Sequence, residues 1–171
     1  MTDSFDQALE LSEAEMHLYA RQSLLDGWDI EAQERLKLAN VLIVGCGGIG
    51  CTTAELLARA GVGKITLIDS DTVEISNLQR QIAFTSQDIG FYKAEVLAKR
   101  LKQINTYIEI ESHVAQLNAE NADTLIASQD LVLDGCDNFA TRYLVNAVCT
   151  QFDVALISAS AIGFQGQLFM V

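Results

Sequence analysis

The chain reads as an α/β protein: a Rossmann-like, doubly wound, mostly parallel sheet with an N-terminal helical extension. Three observations predict it. Short apolar runs recur at Val41-Leu42-Ile43-Val44, Ile65-Thr66-Leu67-Ile68, Leu131-Val132-Leu133 and Val154-Ala155-Leu156-Ile157. Helical patterns lie between them, and the first run ends in Gly45-Cys46-Gly47-Gly48-Ile49-Gly50. Continuous apolar runs suit parallel strands covered on both faces. Strands alternating with helices are the signature of a doubly wound sheet.

Residues 1–39 are polar and helical in pattern. Ser12-Glu13-Ala14-Glu15 has the spacing of a capping box, and Met16, Tyr19, Ala20, Ser23 and Leu24 continue it at i, i+3, i+4. A second helix is expected over 30–39, with Asp29 as its cap. The α/β pattern starts at residue 40, so the expected division is 1–39 and 40–171. Ala54, Leu57, Ala58 and Gly61 share one helical face. So do Ala94, Leu97, Ala98 and Leu101, and then Ala140, Tyr143, Leu144, Ala147 and Val148. Ile108-Glu109-Ile110-Glu111 alternates, as a half-exposed strand does. Residues 166–171 read as a further strand in which the sequence stops, so the second unit is expected to be incomplete at its C-terminal end.

Composition narrows the function. Half of the 171 residues are hydrophobic and 20% are charged, which excludes a disordered chain. There is no proline, where average usage would place about eight or nine. No uncharged apolar run approaches the roughly 18 residues of a membrane span. Residues 1–6 are acidic and polar, unlike a signal peptide, so a cytoplasmic protein is expected. The net charge of −12 repels phosphate backbones and argues against a nucleic-acid partner, although a glycine loop and a few cations can still hold one nucleotide. Cys46, Cys51, Cys136 and Cys149 form no Cys-x-x-Cys pair. They read as small buried hydrophobes in a reducing compartment, and no zinc site is expected in this chain. His17 and His113 are isolated and are expected at the surface or beside a satisfying partner.

The glycine run follows a predicted strand and opens a predicted helix, the context of a nucleotide-binding fingerprint. Gly45, Gly47, Gly48 and Gly50 let backbone approach a phosphate, and the helix start offers free N–H groups and a positive dipole end. Asp69 lies 19 residues after Gly50, at the end of the next strand, where a carboxylate can hold ribose hydroxyls. Alone, the loop leaves NAD, FAD and ATP open, or merely a tight turn. No Gly-x-x-x-x-Gly-Lys-Ser/Thr is present, so cations for a triphosphate come from elsewhere.

A second constellation supplies them: Asp69-Ser70-Asp71, Ser76-Asn77-Leu78-Gln79-Arg80-Gln81, Gly90-Phe91-Tyr92-Lys93, and Asp134-Gly135-Cys136-Asp137-Asn138 with Arg142. Hydride transfer has no need of an Arg, a Lys and an extra Asp at the phosphate end. Nucleotidyl transfer does, because charge spreads over phosphate oxygens in the transition state and magnesium on a triphosphate takes one or two carboxylates. Arg80 and Lys93 could instead be solvated charges. Asp137 could cap the helix before Asn138, and Arg142, one turn on, could pair with Asp137.

With Leu11-Ser12, Tyr19-Ala20-Arg21-Gln22, Ala60-Gly61-Val62-Gly63 and Asp71-Thr72-Val73, these motifs closely resemble the adenylation domain of the ThiF/MoeB/HesA family, relatives of the ubiquitin-activating enzymes. The resemblance is nearest to the molybdopterin-synthase branch and runs from about residue 11 to the end. It implies an adenylyltransferase that activates the C-terminal Gly-Gly carboxylate of a ubiquitin-like sulfur-carrier protein with ATP and Mg2+, in molybdopterin or thiamine biosynthesis, and works as a homodimer. By the same resemblance the glycines lie against the nucleotide, and Asp69 and Asp71 belong to its site. Ser76, Asn77, Leu78, Gln79 and Arg80 line ATP, with Asn77 and Arg80 near the phosphates. Lys93 stabilises the transferring phosphate, Asp137 holds magnesium with Asn138 beside it, and Arg21 reaches the partner subunit's triphosphate.

The chain departs from the family pattern in three ways. Prolines are missing at Tyr92, Thr106 and Ala155, which is expected to loosen the turn before Lys93. The family's zinc-binding cysteine pairs are absent, and so are its catalytic cysteine and crossover loop. Those elements lie beyond residue 171 in the family. The alternatives are an NAD-dependent oxidoreductase, resting on the glycine loop alone, and a non-catalytic nucleotide-binding fragment.

Overall fold

The computed structural model describes residues 10–171. The reading of residues 1–6 as acidic and polar falls outside the described residues. Two helices, α1 (Glu13–Tyr19) and α2 (Ile30–Leu38), flank a 3-10 turn, Gln22–Leu24. Then follow β1 (Asn40–Val44), α3 (Gly48–Ala60), β2 (Lys64–Ile68), α4 (Lys93–Ile104) and β3 (Glu109–His113). The chain continues through α5 (Ala122–Ile126), β4 (Leu131–Asp134), α6 (Phe139–Phe152), β5 (Ala155–Ile162) and β6 (Gln165–Met170).

The six strands form one sheet in the order β3-β2-β1-β4-β5-β6. All neighbours are parallel except β5 and β6, which pair antiparallel. The chain runs outward from β1 to β3 and then restarts beside β1 at β4, so the carboxyl ends of β1 and β4 flank the crevice where ligands enter such sheets.

Pleating explains why β1 is apolar throughout. Val41 and Ile43 face α3 and α4, packing with Ala54, Ala58, Leu97 and Leu101. Leu42 and Val44 face the other way, packing with Ile126, Val132, Val145 and Val148. Both faces of a strand flanked by helix layers are dry, so no position tolerates a polar side chain.

The N-terminal arm begins at the expected capping box, with Ser12 and Glu15 bonding each other's backbone. Asp29 caps α2 through Ala32 N at 2.9 Å. The first helix is shorter than its periodicity predicts. It stops at Tyr19, and Met16 and Leu24 are exposed. Of the five periodic positions only Tyr19 is buried; it packs against Gly61, where the chain turns left-handed (φ +92°) after α3 rather than continuing the helical face.

The buried face of α6 also differs from expectation. Thr141, Val145, Val148 and Cys149 face the sheet, while Ala140, Tyr143 and Ala147 face outward. This helix carries apolar residues around most of its circumference, so periodicity does not choose the face; docking on β4 and β5 does.

Candidate active site

The 45–50 loop joins β1 to α3 at the carboxyl edge of the sheet. Two of its glycines are required by the fold. Gly45 has φ +89°, and a Cβ there would meet the Gly135 carbonyl oxygen at 3.2 Å. A Cβ on Gly50 would lie 1.8 Å from the Gly45 oxygen. The other two are not required. Gly47 has φ −77°, and a Cβ on Gly47 or Gly48 would meet nothing closer than 3.8 Å or 3.6 Å respectively. What lies over them is the Gln81 amide and the aliphatic part of Arg80. A Cβ would therefore be tolerated at both positions at the start of α3, where the first N–H groups have no helical acceptor.

Asp69 holds this loop from the end of β2. Its Oδ2 accepts from Cys46 N at 2.7 Å and its Oδ1 from Asp71 N at 2.7 Å. Burial raises its carboxyl above the ordinary range, opposed by those two N–H groups. Each oxygen keeps a second lone pair for a further donor. Burial, and then the neighbouring Asp69 charge, push the Cys46 thiol far up. Burial likewise lifts Cys136 to about 12 and Cys149 to about 11. All four cysteines are buried and unpaired.

Lys93 begins α4 and is 6% exposed. Its Nζ donates to Asp71 Oδ2 at 2.8 Å, leaving two ammonium protons for another acceptor. The turn before it is well held despite its missing proline. Gly90 N donates to Val73 O, Val73 N to Phe91 O, and Lys93 N to Asp71 O, each at 2.9 Å.

The 76–81 segment folds back over the glycine loop after the 3-10 turn Ile75–Asn77. Buried Asn77 accepts from Glu74 N at 3.0 Å and shapes this turn. Leu78 packs against the core. Ser76, Gln79 and Arg80 point outward, and Arg80 Nη1 donates to Ser76 O at 3.1 Å. Gln81 is 3% exposed, and its Oε1 has no hydrogen-bond partner among the described residues.

Asp137 lies in the loop after β4. It is exposed, and its carboxylate takes no hydrogen bond or ion pair among the described residues. It does not cap α6; Asn138 does, accepting from Thr141 N at 2.8 Å. Nor does Arg142 pair with Asp137. It pairs with buried Asp134, to which the sequence pattern gives no role, at 3.1 Å. The cause is the direction of the strand end: Asp134 shares the face of Val132, beneath α6. That parity was the available signal.

Arg21 stands apart. It is exposed beside Gln22, which donates to Ala60 O at 2.8 Å at the far end of α3. That helix has 13 residues, which separates its ends by about 20 Å. Within one chain Arg21 and the glycine loop lie at opposite edges of the sheet. No described helix is long and apolar enough to cross a membrane.

Comparison with known proteins gives one consistent result. The profile of the ThiF family matches residues 19–171. Molybdopterin-synthase adenylyltransferase of Escherichia coli (strain K12) is 46% identical over 159 residues, covering 93% of this chain and 64% of that protein. Adenylyltransferase and sulfurtransferase MOCS3 of Anopheles gambiae is 44% identical over 159 residues, covering 93% of this chain and 36% of its own. The chain thus spans between about a third and just under two thirds of these relatives. E. coli tRNA N6-threonylcarbamoyladenosine dehydratase, solved in complex with ATP, superposes with a TM-score of 0.84 at 30% identity, over 90% of this chain and 63% of that one.

Proposed function

This chain belongs to the ThiF family, and from that premise we propose that it binds ATP and adenylates the C-terminal carboxylate of a ubiquitin-like sulfur-carrier protein ending in Gly-Gly. The carrier serves molybdopterin or thiamine synthesis. The division into a helical extension, 1–39, and a nucleotide-binding unit, 40–171, is part of this reading, as are a homodimer and a cytoplasmic setting.

One observation carries the reading: Gly47 and Gly48 lack side chains that the fold leaves room for. A ligand approaching the backbone accounts for that, and a phosphate suits the free N–H groups there. The Gln81 Oε1 beside the loop, without a hydrogen-bond partner among the described residues, is a second group that a ligand can satisfy.

In the reaction, a carrier carboxylate oxygen attacks the α-phosphorus. The bond from that phosphorus to the bridging oxygen breaks, and pyrophosphate leaves with the electron pair. Asp69, with Asp71 beside it, orients the ribose. Ser76, Asn77, Leu78, Gln79 and Arg80 line the nucleotide, and Arg80 and Lys93 offset charge on the phosphate oxygens. Lys93 is already ionic with Asp71 before ATP arrives, so its charge costs no new burial when ATP binds. Asp137, an exposed carboxylate at the sheet edge with no partner among the described residues, fits a hard cation and with Asn138 alongside would hold the magnesium of MgATP. That ion would neutralise phosphate charge when bound. Arg21 would serve the partner subunit's site, since its own lies at the other sheet edge.

The test is ATP–pyrophosphate exchange with purified Gly-Gly carriers from the same genome. Exchange that depends on carrier and is lost in Lys93→Ala is expected. Tight NAD binding with no ATP binding by calorimetry would overturn the reading.

A further inference from the structure

Asp134 and Arg142 form the most heavily bonded ionic pair at the site. Asp134 ends β4 and is 2% exposed. Its Oδ2 accepts from Arg142 Nε at 3.1 Å and from Ser158 Oγ at 2.6 Å, and its Oδ1 accepts from Cys136 N at 3.0 Å. Arg142, in the first turn of α6, also donates through Nη2 to Cys136 O at 2.8 Å and to Ala159 O at 3.4 Å. One ion pair therefore ties together the end of β4, the middle of β5, the start of α6 and the loop between β4 and α6.

That loop carries Asp137. Its far end is fixed by the Asn138 cap on Thr141 N. Its near end leans on the glycine loop, where a Cβ on Gly135 would sit 3.4 Å from Gly50 N. Asp137, between them, has no bond of its own among the described residues. A buried ion pair is a poor source of net stability, because apolar residues of similar volume do as well. It is effective at fixing one geometry, since Arg presents a rigid fork that a looser cation cannot copy.

We propose that the Asp134–Arg142 pair, bonded to Ser158 and to both backbone groups of Cys136, is a positioning device that holds the Asp137 loop in its metal-binding conformation. Arg142 and Asp134 are positioning residues and touch no substrate. This inference rests on the proposed reading of Asp137 as the magnesium carboxylate. The pair acts on Asp137 through the Cys136 backbone, and groups that orient a metal ligand commonly matter by about 10–100-fold in affinity, the range expected here.

The test is calorimetric titration of ATP into the full chain, once with magnesium and once with EDTA. The wild type should bind more tightly with magnesium, and Asp137→Ala should abolish that gain. Arg142→Ala should reduce the gain by about 10–100-fold while keeping the EDTA affinity, and adding Asp137→Ala to it should remove only whatever gain remains. A role limited to folding would lower both affinities together, and that result overturns the inference. If Arg142→Ala does not fold by circular dichroism, Arg142→Lys decides: an intermediate gain supports the inference, and the full wild-type gain overturns it. A wild type indifferent to magnesium removes Asp137's metal role and the inference with it. A wild-type gain lost in Asp137→Ala but kept in both Arg142 variants removes the inference alone.

Discussion

The Tyr19 hydroxyl accepts a hydrogen bond from Asn105 Nδ2 at 2.8 Å, across 86 residues of sequence. The bond joins the N-terminal arm to the end of α4. Asn105 is 2% exposed, donates also to Ala58 O at 2.8 Å, and accepts from Tyr107 N at 3.0 Å. Removing the Tyr19 hydroxyl leaves Asn105 its other partners, so Tyr19→Phe should cost about 1 kcal/mol. Asn105→Ala strips three groups at once and should cost about 3 kcal/mol or more. Urea unfolding, with midpoints shifted at unchanged slope, checks both.

The loop glycines should separate into two classes. Gly50→Ala places a Cβ 1.8 Å from a backbone oxygen, an overlap that costs about 3 kcal/mol or more because neither partner is a movable side chain. Gly47→Ala meets no such obstacle and should stay within about 1 kcal/mol of wild type. Its ATP affinity should nevertheless fall by at least about tenfold, or 1.4 kcal/mol. Thermal melts and calorimetry on the two variants separate the effects. A Gly47→Ala protein that binds ATP like the wild type would remove the loop's ligand role.

Restoring the family's proline before Lys93 should stabilise the chain. Tyr92 has φ −67° and ψ 132°, values that proline adopts without strain. The backbone N–H groups that hold the turn belong to Gly90, Val73 and Lys93. Tyr92→Pro therefore breaks none of those bonds and restricts the unfolded chain, for a gain of about 0.4–1 kcal/mol. A lower melting temperature in the variant would show that the exposed Tyr92 ring contributes more than its conformation.

Acid should weaken one ionic cluster on α3. Hydrogen bonds from Arg59, and then from Arg100, hold the Glu55 carboxyl below its ordinary 4.5 against the opposing effect of burial. The folded chain thus binds this proton less tightly than the unfolded chain. The stability Glu55 contributes is present above about pH 4.5 and is lost as pH falls through its depressed value. Glu55→Gln should be less stable than the wild type at pH 7, and the two should converge once the pH has fallen below that depressed value. A difference that stays constant throughout the acid titration would mean that packing, not charge, makes the contribution.

Much of the fold was legible because its signals are local. The apolar runs of β1, β2 and β4, the Ser12 capping box, the Asp29 cap and the glycine loop each follow from a few neighbouring residues and the physics of a dry strand or a helix start. The candidate site residues were legible as types in motifs that resemble the family's: a carboxylate after β2, a lysine at α4, an aspartate after β4.

Tertiary structure decided which partner each took. Arg142 is one helical turn from Asp137 in sequence, yet it pairs with Asp134, because the strand end turns that carboxylate under α6 while Asp137 faces water. The inward face of α6 falls on Val145 and Cys149 rather than Tyr143 and Ala147 for the same reason: an evenly apolar helix is oriented by the sheet it meets. Arg21 stands at the edge opposite the glycine loop, a consequence of the length of α3 that no spacing reveals. Sequence by itself determined the chain's elements and its chemical groups. Burial and the direction of the strand ends, which exist only once the sheet is assembled, decided how those groups pair.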